Sequence, residues 1–150
     1  MSDERIDEIM LAEDIAGLGV VFKPSSDSRA LRAWAWIVAR FGVKGFLREY
    51  WVTVDPTIYY PEGIQNPLLH FVSVRHELVH VWQQRRAGRI LWFSLYFASS
   101  WFRWSQERAA YLVNVRNGWS PEQIADTLHK VYKCWWPSRK AMTKWLRDNA

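Results

Sequence analysis

The chain has one cysteine, Cys134, among its 150 residues. A single cysteine excludes an intrachain disulfide framework and a zinc site built from several thiolates. The sequence predicts that Cys134 is a small core residue. The first residues, 1–5, are mostly polar or charged and lack the apolar core of a signal peptide. We therefore expect a cytoplasmic protein.

Long hydrophobic runs are also missing. The longest one, residues 90–102, has 13 residues and includes three serines. A helix needs about 20 apolar residues to cross a bilayer, so we expect no transmembrane helix. The run is still compatible with peripheral association at a membrane surface.

Acidic residues are scarce in the second half of the chain. Residues 1–70 carry 7 basic and 10 acidic side chains, whereas residues 71–150 carry 13 basic and 5 acidic ones. The net charge is therefore −3 (7 − 10) for the first part and +8 (13 − 5) for the second. This asymmetry permits nucleic acid or an anionic membrane surface as a partner and does not choose between them.

Aromatic side chains are abundant, at 16% of the chain, and include eleven tryptophans. With 49% hydrophobic residues, a chain of this length predicts a single domain, residues 1–150, with a substantial core. So many tryptophans must lie in a core or on a large contact surface. We expect most of them in the core.

Hydrophobic spacing and cap residues predict a mostly helical α+β fold. Helices are expected at residues 1–18, 29–41, 67–87 and 101–116, and two more begin at Ser120 and Pro137. The inward positions expected in the helix 29–41 are Leu31, Trp34, Ile37 and Val38. Those expected in the helix 67–87 are Leu68, Phe71, Val72, Val74, Leu78, Val79, Val81 and Trp82. Gln83 and Gln84 are expected at the helix surface, with a supporting contact behind the metal ligands as the alternative.

β-Branched and aromatic residues predict short strands at residues 20–22, 50–54 and 57–60. Asp55-Pro56 is the expected turn between the last two, which form a hairpin or a small antiparallel sheet beside the helix 67–87. Because Pro61 ends the strand 57–60, this strand is expected at the edge of the sheet.

Two of the four histidines stand in the sequence His76-Glu77-Leu78-Val79-His80. Residues four apart share one face of a helix, so both imidazoles can converge on one cation, while Glu77 points about 100° away. This is the H-E-x-x-H pattern of zinc sites. The alternative is a buried helix whose two histidines only form hydrogen bonds within the fold.

Catalytic zinc commonly has three protein ligands and one open position, so a third ligand is needed. His70 lies on a different azimuth of the same helix and is not expected to reach the same ion. His129 belongs to a later amphipathic helix and is expected to be a surface or interhelical residue. Glu107 is the best candidate, because it is an acidic residue in the middle of a basic, aromatic helix and small Ala110 on the adjoining face permits close helix approach.

The sequence H-E-L-V-H, followed 27 positions later by Glu107-Arg108-Ala109-Ala110, resembles the gluzincin-type zinc metallopeptidases, which have H-E-x-x-H and a downstream E-x-x-A. The resemblance covers about 35 residues and implies a zincin-like domain. It implies Zn²⁺ as cofactor, with His76, His80 and Glu107 as ligands. It also implies Glu77 as general base in the hydrolysis of a protein or peptide substrate, which an edge strand holds in extended form.

Three tyrosines are further candidates. Tyr111 lies one turn beyond Glu107 and is a candidate donor to the reaction's oxyanion, with helix packing as the alternative. Tyr59 and Tyr60 are candidate substrate-binding residues on the expected edge strand. The competing function is a binding module without catalysis, in which the basic, tryptophan-rich second half contacts nucleic acid or a membrane surface.

Overall fold

A computed structural model describes residues 14–40, 44–132, 134 and 136–150. The described chain is mostly helical with one small sheet, which confirms the α+β class. The helices are α1 (residues 14–18), α2 (Arg29–Arg40), α3 (Phe46–Glu49), α4 (Phe71–Ala87), α5 (Arg89–Ala98), α6 (Ser100–Arg116), α7 (Pro121–Lys130) and α8 (Arg139–Asn149). The strands are β1 (Val21–Pro24), β2 (Val52–Val54) and β3 (Thr57–Tyr60). Of the helix expected at residues 1–18, the part up to residue 13 lies outside the described residues.

The chain divides into two compact units, of which the first ends at Val81 and the second begins at Trp82. This boundary falls inside α4. The sequence-based expectation of one domain over residues 1–150 stays a prediction.

The sheet of the first unit has the strand order β1-β3-β2. β2 and β3 are antiparallel and are joined by the turn Asp55-Pro56, as the sequence predicts, whereas β1 pairs with β3 in parallel. The expectation that β3 is an edge strand is therefore wrong. Pro61 follows the last paired residue of β3, so its missing N–H removes no bond from either ladder.

The sequence predicts a helix start at residue 67, but α4 begins at Phe71, because a short turn comes first. Asn66 accepts a hydrogen bond from the Leu68 N–H, and a 3₁₀ turn, Pro67–Leu69, precedes the α-helix. Ile58 of β3 and three apolar residues of α4, Val74, Leu78 and Val81, form a buried cluster. The small sheet therefore packs beside the helix that carries both histidines of the motif.

Several burial expectations for this helix are wrong. Leu68 and Trp82 are exposed, whereas Gln83 and Gln84 are buried. Gln84 is only 1% exposed. Helical periodicity identifies which residues share a face, but the neighbouring elements determine which face is covered.

Three helices of the second unit have starts that are capped by serines. Ser99, Ser120 and Ser138 each accept a hydrogen bond from a backbone N–H in the first turn of α6, α7 and α8. The buried cluster of this unit contains Trp104, Tyr111, Ile124, Ala125, Leu128, Cys134, Met142 and Leu146. The prediction of Cys134 as a small core residue is confirmed. Burial raises the pKa of its thiol to about 11, which keeps the thiol protonated and unreactive at neutral pH.

Most of the tryptophans are not core residues, contrary to expectation. Among those that the structure describes, Trp92 and Trp104 are buried. Six are exposed: Trp34, Trp36, Trp82, Trp101, Trp119 and Trp136. In α2, Leu31 is buried as expected, but Trp34 and Ile37 are exposed. No described helix is both long enough and apolar enough to span a membrane.

Candidate metal centre

α4 places the two motif histidines on one face. His76 and His80 are each 6% exposed, and their rings lie 5.1 Å apart between centroids at an interplanar angle of 73°. A separation of four residues on a regular helix produces this proximity. Both imidazoles are therefore withdrawn from bulk water and offer their nitrogens to one region.

Glu107 joins the two histidines from α6. Its side chain is 2% exposed, and the candidate ligand atoms of His76, His80 and Glu107 all lie within 4.8 Å of one another. Tetrahedral zinc with ligands at about 2.0–2.2 Å keeps neighbouring ligand atoms roughly 3.4 Å apart. The cluster therefore fits a metal ion after small side-chain movements.

The donor set also limits which metals fit. Two imidazole nitrogens and one carboxylate suit zinc and other first-row transition metals, and they suit calcium or magnesium less well. The structure thus contains a buried cluster, His76, His80 and Glu107, that could bind a metal ion.

Glu77, the acidic residue within the motif, is buried beside the cluster and is held by the sheet. The Thr53 hydroxyl of β2 donates a hydrogen bond to Glu77 Oε2 at 2.7 Å. Thr53 is itself buried. A hydrogen bond to one carboxylate oxygen limits rotation of the carboxylate and leaves the other oxygen available for proton transfer.

Glu107 is held in turn by Tyr96 of α5, whose hydroxyl donates to Glu107 Oε1. Burial, followed by the adjacent negative charge of Glu107, raises the pKa of Tyr96 well above its usual value. The phenol therefore stays protonated and acts as a donor at neutral pH. Its ring stacks on Trp92, with 4.6 Å between centroids.

Two glutamines link this part of α6 to α4 and α5. Gln83 donates from Nε2 to the Gln106 carbonyl oxygen at 3.0 Å. Trp92 donates from its indole nitrogen to Gln106 Oε1 at 3.1 Å. These bonds position the backbone and the aromatic ring next to Glu107 and Tyr96, and they explain why Gln83 is buried.

The two histidines that were not predicted as ligands, His70 and His129, lie outside the cluster. His70 is exposed, and its ring lies 6.0 Å from that of Trp51. His129 is half-buried on α7. Within the described residues, neither belongs to a cluster that could hold a metal ion.

The three tyrosines lie in other settings. Tyr111 is in the hydrophobic cluster of the second unit, with its ring edge-on to Tyr132 at 6.4 Å. Tyr59 and Tyr60 are half-buried on β3, which is the central strand. A central strand has no unpaired edge for an extended peptide. Substrate contact by Tyr59 and Tyr60 stays a prediction, but the edge position of β3 no longer supports it.

Sequence reasoning missed Thr53 and Tyr96, the hydrogen-bond donors to Glu77 and Glu107. No local pattern distinguishes them from other strand and helix residues, because both contacts join positions distant in the chain. The buried glutamines did leave a signal. His76, His80, Gln83 and Gln84 recur at helical spacing, which indicates a polar face rather than scattered surface residues.

Comparisons with protein families, with curated proteins and with solved structures found no significant match to this chain.

Proposed function

We propose that the protein is a zinc-dependent metallopeptidase. The observation that carries the proposal is the buried cluster in which Glu107, distant in sequence, meets both motif histidines within 4.8 Å. An H-E-x-x-H sequence can arise in a helix without function. A carboxylate as third ligand, together with a glutamate next to the first histidine of the motif, is one of the arrangements that zinc-dependent hydrolases use.

His76, His80 and Glu107 would hold the ion, and zinc, when bound there, lowers the pKa of water and polarises a carbonyl oxygen. Glu77 accepts a proton from the attacking water and delivers it to the amine nitrogen that leaves as the peptide bond breaks. Thr53 keeps the Glu77 carboxylate oriented for both transfers. Tyr96 keeps the Glu107 carboxylate oriented as a ligand.

β2 is the better candidate for binding an extended substrate. Among the described strands it pairs only with β3, so its other edge can add a peptide strand. It also carries Thr53, whose hydroxyl contacts Glu77. The edge-strand role that the family resemblance implies is therefore assigned to β2 rather than to β3.

The test compares metal content and peptide cleavage in the wild type and in Glu77→Gln. The purified wild type is expected to bind one zinc ion and to cleave an unstructured protein such as casein. Glu77→Gln should retain zinc and lose turnover by about 10²–10⁴-fold, because only the proton acceptor is removed.

Glu62→Gln is the matched control, since Glu62 is an exposed glutamate of the same unit. Its cleavage rate should equal that of the wild type. Absence of zinc from the wild type, or equal cleavage by Glu77→Gln and wild type, contradicts the proposal.

A further inference from the structure

α5 exposes its most hydrophobic face. At 100° per residue, six of its positions fall within an arc of about 160°. These exposed positions are Ile90, Leu91, Ser94, Leu95, Phe97 and Ala98, here called the outer face of α5. Ile90 is 84% exposed and Phe97 is 57% exposed. An exposed apolar helix face of this kind is a candidate interaction surface.

The single polar side chain on this face has an internal hydrogen-bond partner. The Ser94 hydroxyl donates to the Ile90 carbonyl oxygen at 2.9 Å, within the same helix. At the end of α5, Arg103 donates to the carbonyl oxygens of Tyr96 and Phe97. Because these polar groups have protein partners, the outer face can enter an apolar medium with a small desolvation penalty.

The opposite face of α5 packs on α6 of the same unit, so the outer face points away from α6. Trp92 is buried, and its indole donates to Gln106 of α6. Tyr96 donates to Glu107 of the same helix. Trp92 and Tyr96 therefore face the protein, and the outer face, which is apolar except for Ser94, points outward.

Three arginines lie near the N-terminal end of α5. Arg85, Arg86 and Arg89 are exposed on both sides of the turn at Gly88. The sequence from residue 78 to residue 106 contains no aspartate or glutamate. All charged side chains of this stretch are therefore positive, which complements an anionic surface.

We propose that the outer face of α5 is a docking surface for an anionic lipid membrane. A helix of 10 residues is about 15 Å long, half the thickness of the hydrocarbon layer, so it lies in the interface rather than across it. Exposed Trp82 and Trp101 precede and follow α5, and tryptophan favours the membrane interface. Docking does not depend on the peptidase activity proposed above.

The same features disfavour other occupants. Nucleic acid requires cations distributed over the contact surface to reach phosphates, and the outer face carries no charge. In a symmetric dimer formed through this stretch, the arginines of one copy would meet no carboxylate from the same stretch of the other copy. Acyl chains beside anionic headgroups match both the apolar face and its basic margin.

The experiment is co-sedimentation of the full chain with vesicles of phosphatidylcholine, alone or with about one-third phosphatidylserine. We expect binding at least tenfold tighter to the vesicles that contain phosphatidylserine. Ile90→Ser combined with Phe97→Ser should weaken that binding by roughly tenfold or more, because two exposed apolar side chains no longer enter the interface. Trp119→Ser is the matched control, an exposed aromatic residue outside the outer face, and should bind like the wild type.

A second variant tests the electrostatic part. Arg85→Gln, Arg86→Gln and Arg89→Gln together should reduce binding to the phosphatidylserine vesicles to about the level seen with phosphatidylcholine alone, since each arginine near the surface contributes about fivefold. Circular dichroism verifies that each variant is folded. Glu77→Gln should bind vesicles like the wild type, which separates docking from catalysis.

Several outcomes overturn the proposal. These are absence of vesicle binding, binding that does not depend on phosphatidylserine, and an equal loss in Trp119→Ser. A dimer that the outer-face substitutions dissociate, without vesicle binding, assigns the face to a second copy. Duplex DNA binding that the same substitutions weaken, without vesicle binding, assigns it to nucleic acid.

Discussion

At the scale of single residues, two hydroxyl groups hold the two carboxylates of the candidate centre. Tyr96 donates to Glu107, and Thr53 donates to Glu77. Both carboxylates are buried, where a hydrogen bond to a charged group contributes more than it does at the surface. One hydroxyl affects a predicted ligand and the other affects the predicted base, so their removal should have different consequences.

Tyr96→Phe removes the donor to Glu107 and keeps the aromatic ring. We expect zinc affinity to fall by about 10–100-fold, as is typical when the hydrogen-bond partner of a metal ligand is lost. Competition with a chromophoric chelator measures the affinity. Tyr50→Phe, at a half-buried tyrosine that stacks on Phe46, should leave it unchanged. Equal affinity in Tyr96→Phe and wild type would show that Glu107 does not need this bond.

Thr53→Val replaces the hydroxyl that contacts Glu77 by a methyl group of similar size. We expect cleavage to slow by about 10–100-fold, because a hydrogen bond to a charged group contributes about 1.5–3 kcal/mol, while zinc content stays that of the wild type. Initial rates with metal analysis on the same sample test this. Thr57→Val, in the neighbouring strand β3, is the control and should cleave normally. A parallel loss of zinc in Thr53→Val contradicts the assigned role.

At the scale of elements, cap and turn residues predicted boundaries well. Asn66 and Ser120 act as caps next to the predicted helix starts at residues 67 and 120, because a cap depends on residues two or three positions away. Pairing partners were harder to predict. The position of β3 at the centre of the sheet depends on β1, which is some 35 residues distant in sequence, and no property of β3 itself reveals it.

Gly88→Ala tests the turn between α4 and α5. Gly88 has a φ of 83° and a ψ of 127°, a region that L-residues with a side chain avoid. We expect a loss of roughly 1–3 kcal/mol in the free energy of unfolding, measured by urea denaturation. Gly17→Ala is the control, because Gly17 is helical and an added Cβ meets no atom within 4 Å. The control should be neutral or stabilising by up to about 1 kcal/mol, and a similar loss in both variants contradicts the explanation.

At the scale of the whole molecule, metal binding and stability should be linked. A ligand that binds only the native state at 100 times its Kd stabilises that state by about 2.7 kcal/mol. Zinc should therefore raise the Tm of the chelator-treated protein, and chelator should reverse the change. Differential scanning fluorimetry measures both. Glu77→Gln should keep this response and His80→Ala should lose it, whereas an unchanged response in His80→Ala argues against the cluster as the binding site.

The sequence by itself determined the properties that depend on neighbouring residues. The H-E-x-x-H spacing on a helix, the capped helix starts, the Asp55-Pro56 hairpin and the burial of Cys134 all follow from local pattern or composition. Glu107 was also identified from sequence, since it is the one acidic residue near the middle of a basic, aromatic helix.

Only the tertiary structure decided what covers each face and which distant residues meet. It buried Gln83 and Gln84, exposed Trp34, Trp82 and the outer face of α5, and brought Thr53 to Glu77 and Tyr96 to Glu107. The physical reason is that a side chain is buried only when a second surface packs against the one that carries it. Periodicity describes one surface alone, whereas contact and desolvation also depend on the partner that packs against it.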